Sequence, residues 1–278
     1  MPVLYWVRTH HKHNNHDGTQ ALLYNHISFI YIDVFLLKRP GSEADYCKSQ
    51  IQEAQAYGAQ LSTIEKDELF KNALLGLLGS KGHFSATQIL DLLNQYKDIT
   101  DEKLRKHLAY FLKEIIPVAK ANKLNLAIYP DDPPFSVLGL PRVVRNYLDL
   151  KIVFEAVPDS CNGLCYCTGS LGTDPENNLL EMIDKFSDRI HFLHWRNIKR
   201  YNENIFQESE HLKGDNPIEK IVLKLLKVMQ ERMVNLPLRP DPGFLYSFEK
   251  VKNSYPGYFL TGRLKGLAEL KGLELGFI

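Results

Sequence analysis

Four residues carry side chains that bind metals or move protons, and each sits at the end of a short apolar run: Tyr129, Cys167, His194 and Asp241. They are separated by 38, 27 and 47 residues, each interval long enough for one strand–helix unit with a loop. A thiolate, an imidazole and a carboxylate brought together suit a borderline divalent ion such as Mn, Fe or Zn. Taken singly, the same residues have ordinary readings. A cysteine in a strand is a small buried hydrophobe, and a histidine or aspartate at a strand end hydrogen-bonds a loop. Spacing alone leaves both open. Cys161 and Cys165 lie close to Cys167, but no second Cys/His pair stands at zinc-finger spacing. His10, His11, His13 and His16 read as a solvated polar loop. Asp131 and Asp132, followed by two prolines, read as a turn, and their place after a strand end also offers a substrate contact. Gly163, Gly169 and Gly172 do not form a dinucleotide fingerprint.

The elements that must position the four residues follow from periodicity. The predicted strands are 124–129, 163–167, 190–195 and 236–241. Helices are predicted around 143–156, 178–189 and 217–232, with a last one from about Arg263 to Leu275. Alternation of strands with helices of 10–15 residues predicts βα units and a parallel sheet. In such a sheet the four residues gather at the carboxyl edge, where the sites of parallel α/β folds lie. The period of two places Cys165 with Cys167 on one face, Phe192 with His194 and Arg196, and Arg239 with Asp241. Ahead of this part, residues 41–122 read as a largely helical insertion. Ser85 opens a helix carrying Ile89, Leu92 and Leu93, and Thr100 caps one carrying Leu104, Leu108, Leu112 and Ile115. Within residues 1–40, the run Ile27 to Leu37 reads as β-rich.

Composition bounds the function classes. The chain has 278 residues, 34 basic and 33 acidic, a net charge of +1. That balance supplies no basic field and excludes purely electrostatic nucleic-acid binding. No apolar run reaches the roughly 18 residues of a membrane span; the longest contains Asp33. The opening residues lack the apolar core of a signal peptide, and four cysteines do not make a secreted disulfide framework. The expectation is a soluble, cytoplasmic protein.

Several motifs stand in one order along the chain: Pro-Asp-Asp-Pro-Pro-Phe with Gly-Leu-Pro-Arg within 130–142, Asn-Gly-Leu-Cys-Tyr-Cys-Thr-Gly-Ser-Leu-Gly at 162–172, His-Phe-Leu-His-Trp-Arg-Asn at 191–197, Arg-Pro-Asp at 239–241, and Pro-Gly-Tyr with Gly-Arg-Leu-Lys-Gly-Leu-Ala-Glu-Leu within 256–270. With the opening Pro-Val-Leu-Tyr-Trp-Val-Arg-Thr, they strongly resemble the D-mannonate dehydratase family from residue 2 to the end. The resemblance implies a (β/α)8 TIM barrel, xylose isomerase-like, that removes water from D-mannonate to give 2-keto-3-deoxy-D-gluconate in hexuronate (glucuronate) catabolism. It implies Mn2+ or Fe2+ held by Cys167, His194 and Asp241. It also implies Tyr258 in acid/base work, and Arg8, Arg196, Asn197 and Arg239 on substrate oxygens. The small-molecule partner is the sugar acid, the assembly a homo-oligomer, and neither nucleic acid nor membrane is implied.

The pattern departs from the family at three places. The first ligand, a histidine in the family, is Tyr129; the histidine after Arg-Pro-Asp is Pro242; and the family has further βα units before the opening motif. The expectation is therefore an amino-terminally truncated member, an incomplete barrel lacking the N-terminal strands, with impaired activity. Its alternative is a non-catalytic remnant, or a subunit that needs another chain to complete the barrel.

Overall fold

Two sheets organise the chain in the computed structural model, which describes residues 7–74, 84–241, 243–246, 248–249 and 257–277. Strands β1 (His10–Asn14) and β2 (Gln20–Asn25) come first, so much of the histidine run lies on a strand rather than in the expected loop. The run expected to be β-rich is helical: α1 (His26–Tyr31) continues into a π-helical turn, Ile32–Leu36. The Asn25 side chain caps α1, accepting the Ser28 N–H at 3.0 Å. The run is apolar on every side and packs in its own core with Tyr24, Leu69, Ile89 and Phe206, the pattern of a fully buried helix. Asp33 is buried there against Arg39 (2.7 Å) and the Tyr46 hydroxyl, which donates to it at 2.7 Å.

Helices α2 (Lys48–Ala59), α3 (Thr63–Ala73), α4 (Ala86–Asn94) and α5 (Asp101–Ala121) fill the stretch expected to be helical. Ser62 and Ser85 open α3 and α4 with capping boxes, and Thr100 caps α5 by accepting the Lys103 N–H at 3.2 Å.

The remainder alternates as its periodicity predicts: β3 (Leu126–Ile128), α6 (Tyr147–Ala156), β4 (Asn162–Cys167), the single turn α7 (Thr168–Leu171), α8 (Leu179–Phe186), β5 (Ile190–Trp195), β6 (Asn197–Asn202), β7 (Ile205–Ser209), α9 (Ile218–Arg232), β8 (Leu238–Pro240) and α10 (Leu260–Phe277). Strands β3, β4, β5 and β8 pair in parallel in that order, so the fold is mixed α/β around a parallel sheet. Among the described residues this sheet has four strands. All six residues of β4 are buried, as in a parallel strand covered on both faces. The larger core packs Leu164, Ile190 and Leu193 of the sheet against Leu150, Ile183, Ile221 and Leu270 of α6, α8, α9 and α10. Strands β6 and β7 form a hairpin that joins β2, giving a second, antiparallel sheet in the order β1-β2-β7-β6. That sheet is not foreseen by the βα pattern.

Candidate functional site

The parallel register brings Cys167 beside His194 and His194 beside Arg239, with Tyr129 one residue past β3 and Asp241 one past β8. The Tyr129 hydroxyl lies 3.3 Å from Cys167 Sγ and 3.0 Å from His194 Nδ1, and Cys167 Sγ lies 3.4 Å from the same nitrogen. On the other edge of the imidazole, Nε2 is 3.1 Å from Asp241 Oδ2. Tyr129 as a whole is 38% exposed, and its hydroxyl closes the cluster against Cys167, His194 and Arg196. Cys167 Sγ also accepts the Ser170 N–H at 3.3 Å.

Electrostatics follow from this contact order. Burial pushes the Cys167 thiol up, but the His194 and Arg196 cations outweigh it and bring it down to about 7. Burial opposes the His194 cation, yet the Cys167 thiolate and the Asp241 hydrogen bond raise the imidazole to about 9. For Asp241, burial is overcome by the His194 hydrogen bond and by Arg239, which hold the carboxyl below its usual range. The Tyr129 phenol is held well above its ordinary value by burial and by the Cys167 charge. Between about pH 7 and 9 the arrangement is a thiolate–imidazolium–carboxylate row with a neutral phenol against it.

Behind the row lies a ring of four charges. Arg196 donates from Nη1 to Asp132 and to the Tyr129 hydroxyl (3.3 Å), and from Nη2 to Glu208. Arg8 reaches the same two acids, Glu208 at 2.5 Å and Asp132 at 3.4 Å. All four residues are at most 3% exposed, and their charges cancel. Arg8 precedes β1, Glu208 stands on β7, Arg196 links β5 to β6, and Asp132 follows β3, so the ring ties the antiparallel sheet to the carboxyl edge of the parallel one. Gly169 on α7 gives Arg196 its room: a Cβ there would lie 2.5 Å from Arg196 Cβ and 2.9 Å from Nε.

The sequence-predicted residues divide accordingly. Cys167, His194, Asp241 and Arg196 meet directly. Arg8 joins through the ring, where its charge is spent on Glu208 and Asp132. Arg239 pairs with Asp241 through Nε and lies 5.7 Å from the Tyr258 ring centre, which places Tyr258 at the open side of the row. Asn197 is not brought to the cluster: its amide donates to the carbonyls of His211 (2.7 Å) and Asn216 (3.1 Å) and accepts the Asn216 N–H (3.0 Å), bracing a loop. Pro242 lies outside the described residues. Sequence reasoning missed Glu208, because one acid in a short strand carries no signal, and left Asp132 as part of a turn. It also passed over Arg263, which lies 3.1 Å from Asp241 Oδ1 and 5.7 Å from the Tyr258 ring centre.

The donor types fit a divalent ion, and Asp241 Oδ1 is a buried oxygen that meets Arg263 Nε as an ion pair without hydrogen-bond geometry. Their placement is a row, with Cys167 and Asp241 at opposite edges of one imidazole. Among the described residues no three His, Cys, Asp or Glu side chains form a ready cage.

Comparison with known proteins adds a family. A family model described as D-mannonate dehydratase (UxuA) matches residues 1–277. The mannonate dehydratase of Marinomonas sp. (strain MWYL1) is 40% identical over 282 residues, covering 99% of this chain and 72% of that protein. The mannonate dehydratase of Saccharophagus degradans is 40% identical over 280 residues, covering 98% of this chain and 70% of that one. The crystal structure of mannonate dehydratase from Streptococcus suis serotype 2 superposes with a TM-score of 0.69 at 27% identity, and 98% of this chain spans 63% of that chain. No helix among the described residues is long and apolar enough to cross a membrane.

Proposed function

The chain belongs to the D-mannonate dehydratase family, and from that membership we propose that it is a hydro-lyase that removes water from D-mannonate to give 2-keto-3-deoxy-D-gluconate. The reading extends to a cytoplasmic homo-oligomer of the (β/α)8, xylose isomerase type, serving hexuronate breakdown. The observation that carries it is the gathering of Cys167, His194 and Asp241, with Tyr129, at the carboxyl ends of neighbouring parallel strands.

Dehydration of a 2,3-dihydroxy acid takes a weakly acidic proton from C2 and expels the C3 hydroxyl. A Mn2+ or Fe2+ ion held by Cys167, His194 and Asp241 would supply positive charge beside the substrate carboxylate. With Pro242 in place of the family's proton-transfer histidine, the C2 proton passes to water, and the chain's own residues supply the donor and the binding groups. Tyr258, whose phenol is pushed up to about 12 by burial and by Asp241, is protonated at neutral pH and is the donor to the leaving hydroxyl. Arg239 binds substrate oxygens from the open side; in the metal-free row His194 holds a proton between Cys167 and Asp241, which it would give up to ligate the ion. Tyr129 and Pro242 stand where the family resemblance implies histidines; losing one acid/base partner costs about 10²–10⁴-fold in rate, so turnover below that of the full family pattern is expected.

The test is release of 2-keto-3-deoxygluconate from D-mannonate by the purified chain with Mn2+ or Fe2+, before and after Tyr129→His. Product that rises with Tyr129→His supports the reading. No product from either folded, metal-loaded protein refutes it in favour of a non-catalytic remnant or a subunit completed by another chain.

A further inference from the structure

The arginines around the site are in two opposite electrostatic states. Arg8 and Arg196 are buried and neutralised by Asp132 and Glu208, so an incoming anion would have to displace a buried carboxylate to reach either. Arg239 and Arg263 converge instead on the two oxygens of one carboxylate, Asp241: Arg239 Nε on Oδ2, and Arg263 Nε at 3.1 Å from Oδ1. Their side chains are 46% and 36% exposed, and both guanidinium carbons lie 5.7 Å from the Tyr258 ring centre. Two cations against one acid leave an excess positive charge at the solvent side of the row. Among the described residues no second carboxylate pairs with either fork. Each meets Asp241 through Nε, and the remaining four N–H donors of a guanidinium sit on its two Nη atoms. The backbone also makes a seat for Arg263: a Cβ on Gly243 would lie 2.7 Å from Arg263 Cγ and 3.1 Å from its backbone nitrogen.

We propose that Arg263, acting with Arg239, is the clamp that holds the carboxylate of the sugar-acid substrate beside Asp241 and Tyr258. The inference rests on the sugar-acid reading above and deepens it by assigning the acid end of the ligand. Planar forks match a carboxylate with paired hydrogen bonds, and the half-buried setting screens them less than open water does.

The test is calorimetric titration of the purified full chain with D-gluconate, and with D-mannitol as a neutral polyol of the same length, in the wild type, Arg263→Gln and Arg263→Lys. The clamp requires gluconate to bind the wild type more tightly than mannitol does. Arg263→Gln should weaken gluconate about 10–100-fold, the range for one charge-assisted hydrogen bond, while leaving mannitol unchanged. Arg263→Lys, which keeps the charge and loses the fork, should fall between. The clamp is overturned if wild type does not prefer gluconate, if Arg263→Gln binds gluconate within twofold of wild type, or if both ligands weaken equally. D-mannonate turnover by the wild type and Tyr129→His, both loaded with Mn2+ or Fe2+, separates the two readings. Gluconate binding that depends on Arg263, with no 2-keto-3-deoxygluconate from either metal-loaded protein, would sink the dehydratase reading and leave the clamp standing.

Discussion

Glu208→Gln tests whether the buried ring behind the site acts as a unit. Glu208 accepts from Arg8 at 2.5 and 3.1 Å and from Arg196 through both Nη2 and Nε, the last at 3.3 Å. Replacing it with the neutral amide leaves two buried guanidinium groups facing one carboxylate, Asp132. Removing one partner of a buried pair costs about 3–5 kcal/mol, because an uncompensated charge stays behind. For a chain of 278 residues the unfolding entropy is about 0.6 kcal/mol/K, so Glu208→Gln should lower the Tm by about 5–9 °C. Arg8→Gln leaves the opposite imbalance, two carboxylates and one cation, and should cost a similar amount. The double variant restores one charge of each sign, Arg196 with Asp132. It should therefore be less destabilised than the two single losses added together, with a coupling of about 1–3 kcal/mol. Thermal unfolding of the four proteins measures this, and added salt should change the coupling little because the ring is shielded from solvent. Additive losses would refute the account of a closed four-charge unit.

Gly169→Ala should drive a methyl group into Arg196, whose fork is pinned by Asp132 and Glu208 and cannot retreat; overpacking of this kind costs about 1–3 kcal/mol, and an unchanged Tm would contradict it. In metal-free protein, ultraviolet absorbance should show the Cys167 thiolate forming near pH 7, with the midpoint moving up in His194→Ala. The signs are opposite for the two partners: the lowered thiol loses its contribution to stability as pH falls through about 7, and the raised imidazole loses its own as pH rises through about 9. The ion pair thus persists between those values; the two opposite slopes nearly cancel there, so total stability stays close to flat, and a thiolate midpoint unmoved in His194→Ala would exclude the pair. Mn2+ uptake measured by mass spectrometry should fall in the Cys167→Ala, His194→Ala double variant; uptake equal to wild type would remove both residues from the ligand set.

What could be read from the sequence is what neighbouring residues dictate. Strand β5 occupies the residues its pattern predicts, and β4 and α9 are displaced by one residue at an end, because alternation and amphipathic period are local signals. The gathering of Tyr129, Cys167, His194 and Asp241 followed from a single rule about strand ends. Which edge of His194 faces which partner did not, since a ring orientation is settled by packing. The run from Ile27 to Leu37 misled because β-branched and aromatic residues suit strands, whereas a core on every side and the Asn25 cap favour helix. The antiparallel sheet was illegible for a different reason: it pairs Leu23 with Gln207, and nothing in either short strand points to the other.

That distant pairing is what completes the site. The ring joins Arg8 to Glu208 across 200 residues, and only when β2 and β7 are in register do both acids and both arginines meet. A buried ion cluster is weak evidence for stability in itself, since desolvation offsets much of the attraction between its members. Its demand is geometric: a slip of β7 by one residue would turn Glu208 to the other face and leave two cations unpaired beneath Tyr129 and Cys167. The ring therefore penalises wrong registers more than it stabilises the right one. The same four charges are satisfied among themselves, so the excess positive charge beside the row lies at its open side, at Arg239 and Arg263. The antiparallel sheet, though it supplies no member of the Tyr129–Cys167–His194–Asp241 row, determines both where Arg196 points and which arginines are left with unmatched charge.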